Sequence, residues 1–460
     1  QEVNEYMSSN CKWNLTIIGG GSRIAGATLC HLAERLDLNM TGEVVLYGRT
    51  KANMEDNIKI LDVVCPPEKR SFRVSISDTL DSALEGAHIV YYNATPGLGE
   101  YGGYKSLGIP QGGHIMHVAG RIKEICPEAW FLVNTNPPDV PLSAVYKKFG
   151  LHKLIGCCNA TVIAKKVLFA YLCTISKDLN DYAAGEGILI SDKSLNGSGG
   201  NEADPGSNIQ FTEDDLQLYE LGVNHDVWFY DIKLKGRSIY DFLRQSLPAI
   251  YNENTLKSSY LESFPEWKYG FKNNIELLKY TNYLPAPVGG AKRFRGLPLS
   301  SSEISKMMKR PSREDFQRCI RENLNPQEIM SIISRCGGGI PAYMADVLEA
   351  IITDSGKECP VQVLNNGTIP CYPQNVMLQM SCKIGRSKVE KPTISEIPEY
   401  IIGVLSARVF QNVMVAKALA EQDESLMIQA MLMIPERAGV VDSVNIIKNN
   451  GNVEPVIPLN

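Results

Sequence analysis

Short apolar runs alternate with amphipathic stretches over the first 175 residues of the chain. Five runs predict short buried β-strands, at residues 12–18, 43–47, 88–92, 130–134 and 154–158. Helical periodicity follows the first run at residues 24–36, and an amphipathic stretch at residues 79–85 precedes the third run. Because buried strands that alternate with helices are typical of parallel sheets covered on both faces, we predict an α/β domain with a doubly wound parallel sheet over residues 12–175.

The pattern changes after residue 175. Residues 191–208 are rich in Gly, Ser, Asn and Asp and predict an exposed loop. From about residue 240 the chain is largely helical, with clear periodicity at residues 342–352 and 401–420. We therefore predict a second, mixed α+β domain over residues 176–460, which would carry substrate, metal and oligomer contacts.

A glycine-rich turn follows the first predicted strand and precedes a helix. Glycines let the backbone approach a pyrophosphate, and the helix N-terminus supplies free N–H groups. The third glycine of the usual spacing comes two positions late, at Gly26. We interpret the turn as a dinucleotide site, and a purely structural turn is the alternative. Its candidate binding residues are Gly19, Gly20, Gly21, Ser22 and Arg23.

The end of the second strand selects between dinucleotides. An acidic residue there binds the ribose 2′-hydroxyl of NAD, but this chain has Gly48 followed by Arg49. Glycine leaves room and arginine supplies charge for a 2′-phosphate, so the sequence favours NADP over NAD unless Arg49 is only a surface residue. Asn93 and Asn134, at the ends of two other strands, are further candidate contacts to the cofactor.

Composition and charge narrow the class of protein. With 44% hydrophobic and 21% charged residues, the chain has ordinary globular composition. A net charge of −5 favours neither nucleic acid nor a membrane surface, and no long apolar run predicts a transmembrane helix. The twelve cysteines include no CxxC pair, which favours reduced thiols. We expect a cytoplasmic protein that binds neither nucleic acid nor membranes.

Polar segments follow the fourth and fifth strands and recur later in the chain. They are Asn134-Thr135-Asn136-Pro137, Gly156-Cys157-Cys158-Asn159, Gly222-Val223-Asn224-His225-Asp226-Val227-Trp228, and Asn365-Asn366-Gly367-Thr368-Ile369-Pro370 followed by Pro373-Gln374-Asn375-Val376. With the glycine-rich turn, and from about Leu15 to Pro435, the chain resembles glycoside hydrolase family 4, which shares its fold with lactate and malate dehydrogenases. The doubled cysteine is most similar to the α-galacturonidase and α-glucosidase branches.

The resemblance implies a glycosidase that uses a nicotinamide cofactor and a divalent metal, commonly manganese. In that chemistry the sugar is oxidised transiently at C3, which acidifies the C2 proton, and the metal stabilises the enediolate. The glycosidic oxygen is then eliminated from C1, and the ketone is reduced again after water adds. A carbohydrate substrate and a homodimer or homotetramer are also implied.

The resemblance also implies roles for individual residues. Cys158 and His225 match the metal ligands, and a thiolate with an imidazole suits a borderline divalent ion. Asn159 matches a contact to a substrate hydroxyl, and Asn136 matches an asparagine near the nicotinamide and the sugar. The residues by themselves favour a buried cysteine and a core histidine instead.

Two segments depart from the family pattern. After the third predicted strand there is no obvious arginine for a 6-phosphate, so we expect an unphosphorylated sugar, neutral or acidic; Gln111 and His114 there would contact substrate or cap a helix. The segment that carries the usual tyrosine base has no tyrosine at the expected place. Lys292 with a lowered pKa is then the candidate base, and Tyr283 and Tyr280 are nearby substitutes. Arg293 would bind a substrate carboxylate unless the loop is simply solvated.

Two other functions stay open at this point. The missing tyrosine, the short third-strand loop and the absent ribose acid would suit a catalytically altered or non-catalytic binding protein on the same scaffold. A plain NAD(P)-dependent oxidoreductase would accumulate reduced cofactor in step with product, whereas the glycosidase predicts no net cofactor turnover.

Overall fold

The computed structural model describes residues 12–94, 109–175, 211–251, 256, 265–286, 311–394 and 396–433. These residues form two compact units. The first unit contains the described residues up to Cys158, those from 311 to Ile394, and those from Leu405 onward. The second contains those from Asn159 to 286 and from 396 to Val404. The loop predicted at residues 191–208 lies outside the described residues.

Helices and strands alternate through the described part of the chain. The helices are α1 Arg23–Arg35, α2 Lys51–Val64, α3 Leu80–Leu84, α4 Ile109–Ile125, α5 Asp139–Phe149, α6 Ala160–Thr174, α7 Tyr240–Ile250, α8 Pro265–Thr281, α9 Arg313–Arg321, α10 Pro326–Ile333, α11 Ile340–Thr353, α12 Glu399–Glu421 and α13 Glu424–Leu432. The strands are β1 Trp13–Ile18, β2 Gly42–Tyr47, β3 Phe72–Ile76, β4 Ile89–Tyr92, β5 Trp130–Val133, β6 Leu154–Cys157, β7 Leu216–Val223, β8 Asp226–Leu234, β9 Arg237–Ser238, β10 Leu284–Pro285, β11 Lys357–Leu364, β12 Met377–Ile384 and β13 Val389–Glu390.

The first unit is built on a parallel sheet with the strand order β3-β2-β1-β4-β5-β6. Its central strands are apolar on both faces; the successive residues Ile17 and Ile18 of β1 point to opposite faces, and both are completely buried. The order reverses between β1 and β4, and connections between parallel strands are right-handed. This reversal places α1 and α2 on one face and α4 and α5 on the other, so the predicted doubly wound fold is confirmed.

Several elements of this unit were not predicted, and β3 and α2 show why. Strand β3 lies at the edge of the sheet and has one fully buried side chain, that of Phe72, while its other side chains are partly or fully exposed. Helix α2 buries only a narrow stripe, and a polar residue, Asn57, lies in that stripe. Both patterns are weak because little of each element faces the core.

The chain returns to the first unit after the second. Strand β11 pairs antiparallel with β6, with Val361 opposite Cys157 and Gln362 opposite Gly156, and β12 pairs with β11. Helix α11 packs against α1. The compact units therefore differ from the division predicted at residues 175 and 176, because hydrogen bonds to β6 bring the later strands into the first sheet.

An antiparallel hairpin, β7–β8, is the centre of the second unit. Strands β9 and β10 pair with β8, and the hydroxyl of Tyr240 joins the strands by donating to the Phe229 carbonyl (2.8 Å) and accepting from the Leu284 N–H (2.7 Å). Helix α6 packs against β7. The mixed α+β character predicted for the later part of the chain is confirmed.

The Asn365 segment is a structural loop between β11 and β12. The buried Asn365 amide donates to the carbonyls of Ile369 and Tyr372 (both 2.9 Å), and its oxygen accepts from the Ile369 N–H (2.7 Å). Gly367 has φ +83°, a conformation that favours glycine. The Asn365 segment, one of the motifs shared with the family, therefore stabilises the conformation of this loop.

Among the described helices, only α12 is long and apolar enough, by length and composition, to cross a membrane. Half of its most apolar window is buried within the protein. Its buried polar residues are bonded within the first unit: Asn412 donates to Asp139 (2.9 Å) and Gln411 to the Ala430 carbonyl (2.9 Å). These contacts are typical of a core helix.

Candidate functional site

The glycine-rich turn lies where the sheet order reverses. Gly19 has φ +87°, and a Cβ at this position would lie 2.7 Å from the Asn93 carbonyl oxygen and the Ala94 nitrogen. Ser22 caps α1, because its Oγ accepts from the Ala25 N–H (3.0 Å). Asn93 donates from its amide to the same Ser22 Oγ. Only glycine at position 19 therefore lets the turn close against the end of β4.

A buried asparagine that sequence reasoning missed braces this turn. The amide of Asn57, on α2, donates to the carbonyls of Gly20 (2.8 Å) and Ser22 (2.9 Å). Gly26 leaves room for it, since a Cβ there would lie 2.7 Å from Asn57 Oδ1. The available signal was a polar residue inside the buried stripe of α2.

An arginine from a distant part of the chain completes the brace. Arg313, at the start of α9, donates to Asn57 Oδ1 (3.1 Å) and to the Asn53 carbonyl (2.7 Å). Arg23, predicted to bind the cofactor, donates to the Pro311 carbonyl. The segment that begins at residue 311 therefore supports the turn, and one donor of Arg23 is already used.

The carboxyl edge of the first sheet fits a dinucleotide. The first turn of α1 has no acidic residue and leaves N–H groups for a phosphate. Asn134, which follows β5, is 4% exposed. Neither the nitrogen nor the oxygen of its side-chain amide has a hydrogen-bond partner among the described residues. Because buried polar groups are normally bonded, this amide fits a polar ligand at the strand end.

The first residues of α4 are anchored to the same edge. Gln111 is buried and donates to the Asn136 carbonyl (2.5 Å), which precedes a cis peptide bond to Pro137. His114 lies one helical turn later, and its Nδ1 is 2.6 Å from the Tyr92 hydroxyl. Burial lowers the pKa of His114 to about 4, helped by the charges of His117 and Arg49. The structure thus brings these predicted substrate residues to the dinucleotide edge.

Both adjacent cysteines at the end of β6 are buried. Burial raises the pKa of the Cys157 thiol far above its usual range, and a hydrogen bond with Tyr343 only partly opposes this shift. Cys157 is therefore a neutral, structural thiol. Cys158 follows the strand and is 2% exposed; Asn159, which is also buried, precedes α6. The assignment of Cys158 as a metal ligand stays a prediction.

His225 occupies the turn of the β7–β8 hairpin in the second unit. It has φ 60° and is partly buried. Gly222 permits the tight turn, because a Cβ there would lie 2.6 Å from Val227 Cα. Asp226 accepts a hydrogen bond from the Trp228 indole (3.0 Å). The turn is therefore fixed on both sides of the predicted ligand.

A buried carboxylate next to this hairpin was also missed. Glu220 of β7 is 2% exposed and accepts a hydrogen bond from the Thr161 hydroxyl at the start of α6. The bond fixes the N-terminus of the helix that follows Asn159 to the hairpin that carries His225. A glutamate inside an apolar strand was the signal in the sequence.

The described residues contain no group of three or more His, Cys, Asp and Glu side chains that could hold a metal ion. The resemblance implies only two protein ligands for the metal, Cys158 and His225. A thiolate and an imidazole suit a borderline divalent ion and leave positions for substrate oxygens. The chemistry of these two donors therefore fits the predicted metal.

Tyr283, a candidate base, lies away from the hairpin turn. Strand β10 pairs with β8, and the Ala286 N–H donates to the Val227 carbonyl (2.8 Å). Tyr283 is three residues farther from the turn, about 10 Å along an extended chain. Its ring stacks on Tyr400, with centroids 5.9 Å apart. The structure therefore does not bring Tyr283 together with His225.

The remaining predicted residues divide into two groups. Arg49 is exposed, beside Gly48, at the end of β2. The candidate base Lys292 and the candidate substrate residue Arg293 lie outside the described residues.

Comparison with known families gives two adjacent matches. Residues 98–174 match the model of the family 4 glycosyl hydrolases, and residues 221–436 match the model of the family 4 glycosyl hydrolase C-terminal domain. Together they account for well over half of the chain. An alpha-galacturonidase from Thermoanaerobacter italicus is 21% identical over 463 residues, which cover 92% of this chain and 91% of that protein.

Solved structures show the same fold. Two structures of 6-phospho-alpha-glucosidase from gut microorganisms, one in complex with NAD and glucose-6-phosphate and one with NAD and Mn2+, match with TM-scores of 0.70 and 0.67. Each is 16% identical; the matches cover 95% and 96% of this chain and 97% and 99% of theirs. Malate dehydrogenase from Picrophilus torridus matches with a TM-score of 0.52, at 15% identity over 89% of this chain and 99% of its own.

The close contact between Gly26 and Asn57, which supports the turn, predicts that alanine has opposite effects on stability at two helical glycines. Gly26→Ala places a methyl group against Asn57, so we expect it to destabilise the protein by about 1–3 kcal/mol and to weaken dinucleotide binding. Gly113→Ala on α4 meets nothing within 4 Å, and we expect it to stabilise the protein by up to about 1 kcal/mol with unchanged binding. Urea unfolding and calorimetric titration with NAD measure both effects. Equal dinucleotide affinities in the two variants would contradict the role given to Asn57.

Proposed function

Since the chain belongs to family 4 of the glycosyl hydrolases, we propose that it is a glycosidase that uses a nicotinamide dinucleotide and a divalent metal ion. The observation that supports this proposal most is the close packing of the glycine-rich turn against the end of β4. The side-chain amide of Asn134, which has no partner among the described residues, lies at the same edge of the sheet. Relatives with this fold were solved with NAD and with Mn2+, which supports both cofactors.

Residues at the carboxyl edge of the first sheet would bind the cofactor. The turn from Gly19 to Ser22 and the N-terminus of α1 bind the pyrophosphate. Asn134 would contact the cofactor at the end of β5, and Asn136 would contact the sugar beside the nicotinamide. When bound, the nicotinamide supplies reversible hydride transfer at sugar C3, and the metal supplies Lewis-acid stabilisation of charge on the sugar oxygens.

Metal and sugar contacts come from the segments after β6 and between β7 and β8. Cys158 and His225 would hold the metal. Asn159, beside the first of these ligands, would bind a sugar hydroxyl. Thr161 and Glu220 would keep the start of α6 fixed while substrate binds.

Lys292 is the proposed base for the C2 proton. The ring of Tyr283 is held by Tyr400 and by the Arg244 guanidinium, 5.5 Å from its centroid. This packing and the distance along β10 argue against Tyr283. A lysine whose pKa is lowered by its surroundings can accept a proton near neutral pH.

The proposed substrate is an unphosphorylated acidic glycoside. The sequence has no obvious arginine for a 6-phosphate after the third predicted strand, and Arg293 would pair with a sugar carboxylate. The similarity to an alpha-galacturonidase supports this substrate class. The protein is further proposed to be cytoplasmic, which its free cysteines favour, and to form a homodimer or homotetramer.

Hydrolysis without net redox change is the first test. With Mn2+, a dinucleotide and a galacturonide in D2O, we expect release of the free sugar, deuterium at C2, and no accumulation of reduced cofactor beyond the enzyme concentration. Product and cofactor are followed by NMR and by nicotinamide absorbance. Reduced cofactor that rises in step with product would show an oxidoreductase. No turnover of acidic or neutral glycosides by a protein that binds dinucleotide would show a non-catalytic scaffold.

Exchange of the C2 proton identifies the base. We expect Lys292→Met to slow deuterium incorporation by about 100- to 10,000-fold, the usual loss for a general base. Tyr283→Phe keeps the stacked ring and should retain nearly the full rate, as should the control Tyr280→Phe, whose tyrosine is 84% exposed. Loss of exchange in Tyr283→Phe with retention in Lys292→Met would reverse the assignment.

The adjacent cysteines give a matched pair for the metal site. Cys158→Ser removes the thiolate, so we expect it to lower Mn2+ affinity by about 100-fold or more, beyond the loss usual for supporting residues. Cys157→Ser should leave Mn2+ affinity unchanged, because that thiol is neutral and bonded to Tyr343. Titration of the folded proteins with MnCl2 measures both. Equal affinities in the two variants would refute the ligand assignment.

A further inference from the structure

The end of β2 lacks the side chain that usually binds the ribose of NAD. A Cβ at Gly48 would lie 3.5 Å from the Gly20 nitrogen and 3.7 Å from Gly19 Cα. A side chain at this position would therefore face the turn, where an acidic residue would reach the ribose 2′-hydroxyl. Glycine leaves that space open.

A cation lies directly beside this space. Arg49 is exposed and forms no ion pair with a carboxylate among the described residues. Lys51, two residues later, is paired with Asp78 (3.7 Å). Ile18 of β1 pairs with Tyr47 of β2 on one side and with Tyr92 of β4 on the other, so Arg49 and the residue that contacts His114 lie at the same edge of the sheet. The charge of Arg49 also contributes to lowering the pKa of His114.

His114 is held in one orientation by Tyr92. The phenol oxygen lies 2.6 Å from His114 Nδ1, and the two rings contact with centroids 5.4 Å apart. Burial raises the pKa of Tyr92 and lowers that of His114. Both groups are therefore uncharged near neutral pH, and the arrangement in which the hydroxyl donates to Nδ1 leaves the imidazole proton on Nε2.

This histidine is fixed to the part of the sheet that carries the turn. Tyr92 is the last residue of β4, and the next residue, Asn93, bonds to Ser22 of the turn. The Nε2–H of His114 is on the side of the ring opposite Tyr92. His117 is exposed on the same helix, and the charges of His117 and Arg49 both act to lower the pKa of His114.

We propose that the site prefers the dinucleotide with a 2′-phosphate, which is bound by Arg49 together with the Nε2–H of His114, while Tyr92 fixes the donating tautomer. The inference rests on the proposed function, because it requires a dinucleotide in the turn. A guanidinium matches phosphate geometry with two parallel donors, and a neutral imidazole adds a donor. His114 thereby belongs to the cofactor site rather than to the sugar site predicted from the sequence.

Calorimetric titration of the full chain with NAD and NADP tests this preference. We expect NADP to bind more tightly. Arg49→Ala should weaken NADP by about 10- to 100-fold, the usual range for a charged hydrogen bond, and leave NAD unchanged. His114→Ala should weaken NADP by about two- to tenfold. Lys51→Ala removes a neighbouring charge and should change neither affinity.

Tyr92→Phe separates positioning from structural support. We expect it to reduce NADP affinity less than His114→Ala does, to leave NAD affinity unchanged, and to shift the 15N resonances of His114 toward a mixture of tautomers. A purely structural Tyr92 would change both affinities together and leave the tautomer as it was.

The outcomes separate this inference from the proposed function. Equal binding of NAD and NADP by the wild type, or an equal loss of both in Arg49→Ala, would overturn the 2′-phosphate assignment while the dinucleotide site stands. Binding of neither dinucleotide would overturn both the inference and the proposed function.

Discussion

The close approach of the glycine-rich turn to the end of β4 is the constraint on which the candidate site depends. Two parallel strands that feed chains to opposite faces leave a crevice at their carboxyl ends. The turn can enter that crevice because Gly19 has no Cβ to meet the Asn93 backbone. The contact between Asn93 and Ser22 then fixes the start of α1, whose N–H groups make the edge attractive to anions.

Buried amides serve two purposes at this edge. Asn57 and Gln111 use their donors on backbone carbonyls and hold the turn and the Asn136 peptide in place. Asn134 is buried to a similar degree, but its side-chain amide bonds to no described residue. Because an unpaired buried amide costs about 1–3 kcal/mol, the difference distinguishes residues that build the scaffold from one whose side chain fits a polar ligand.

The second unit fixes its own candidate ligand by local means. The tight turn after Gly222 and the bond between Asp226 and Trp228 determine where His225 lies. Glu220 and Thr161 connect the same hairpin to α6. Tyr283 packs with aromatic and cationic neighbours on a strand that leads away from that turn.

The sequence by itself determined the doubly wound sheet, the glycine-rich turn and the family, because these depend on local periodicity and on motifs whose residues are adjacent. It did not show the brace from Asn57 and Arg313, since its partners are more than 250 residues apart. Nor could it show that β11 would join β6, or that Tyr92 would hold His114. Hydrogen bonds between distant segments exist only once the chain has packed, and so the tertiary structure alone decided which polar residues support the turn and which remain available to a ligand.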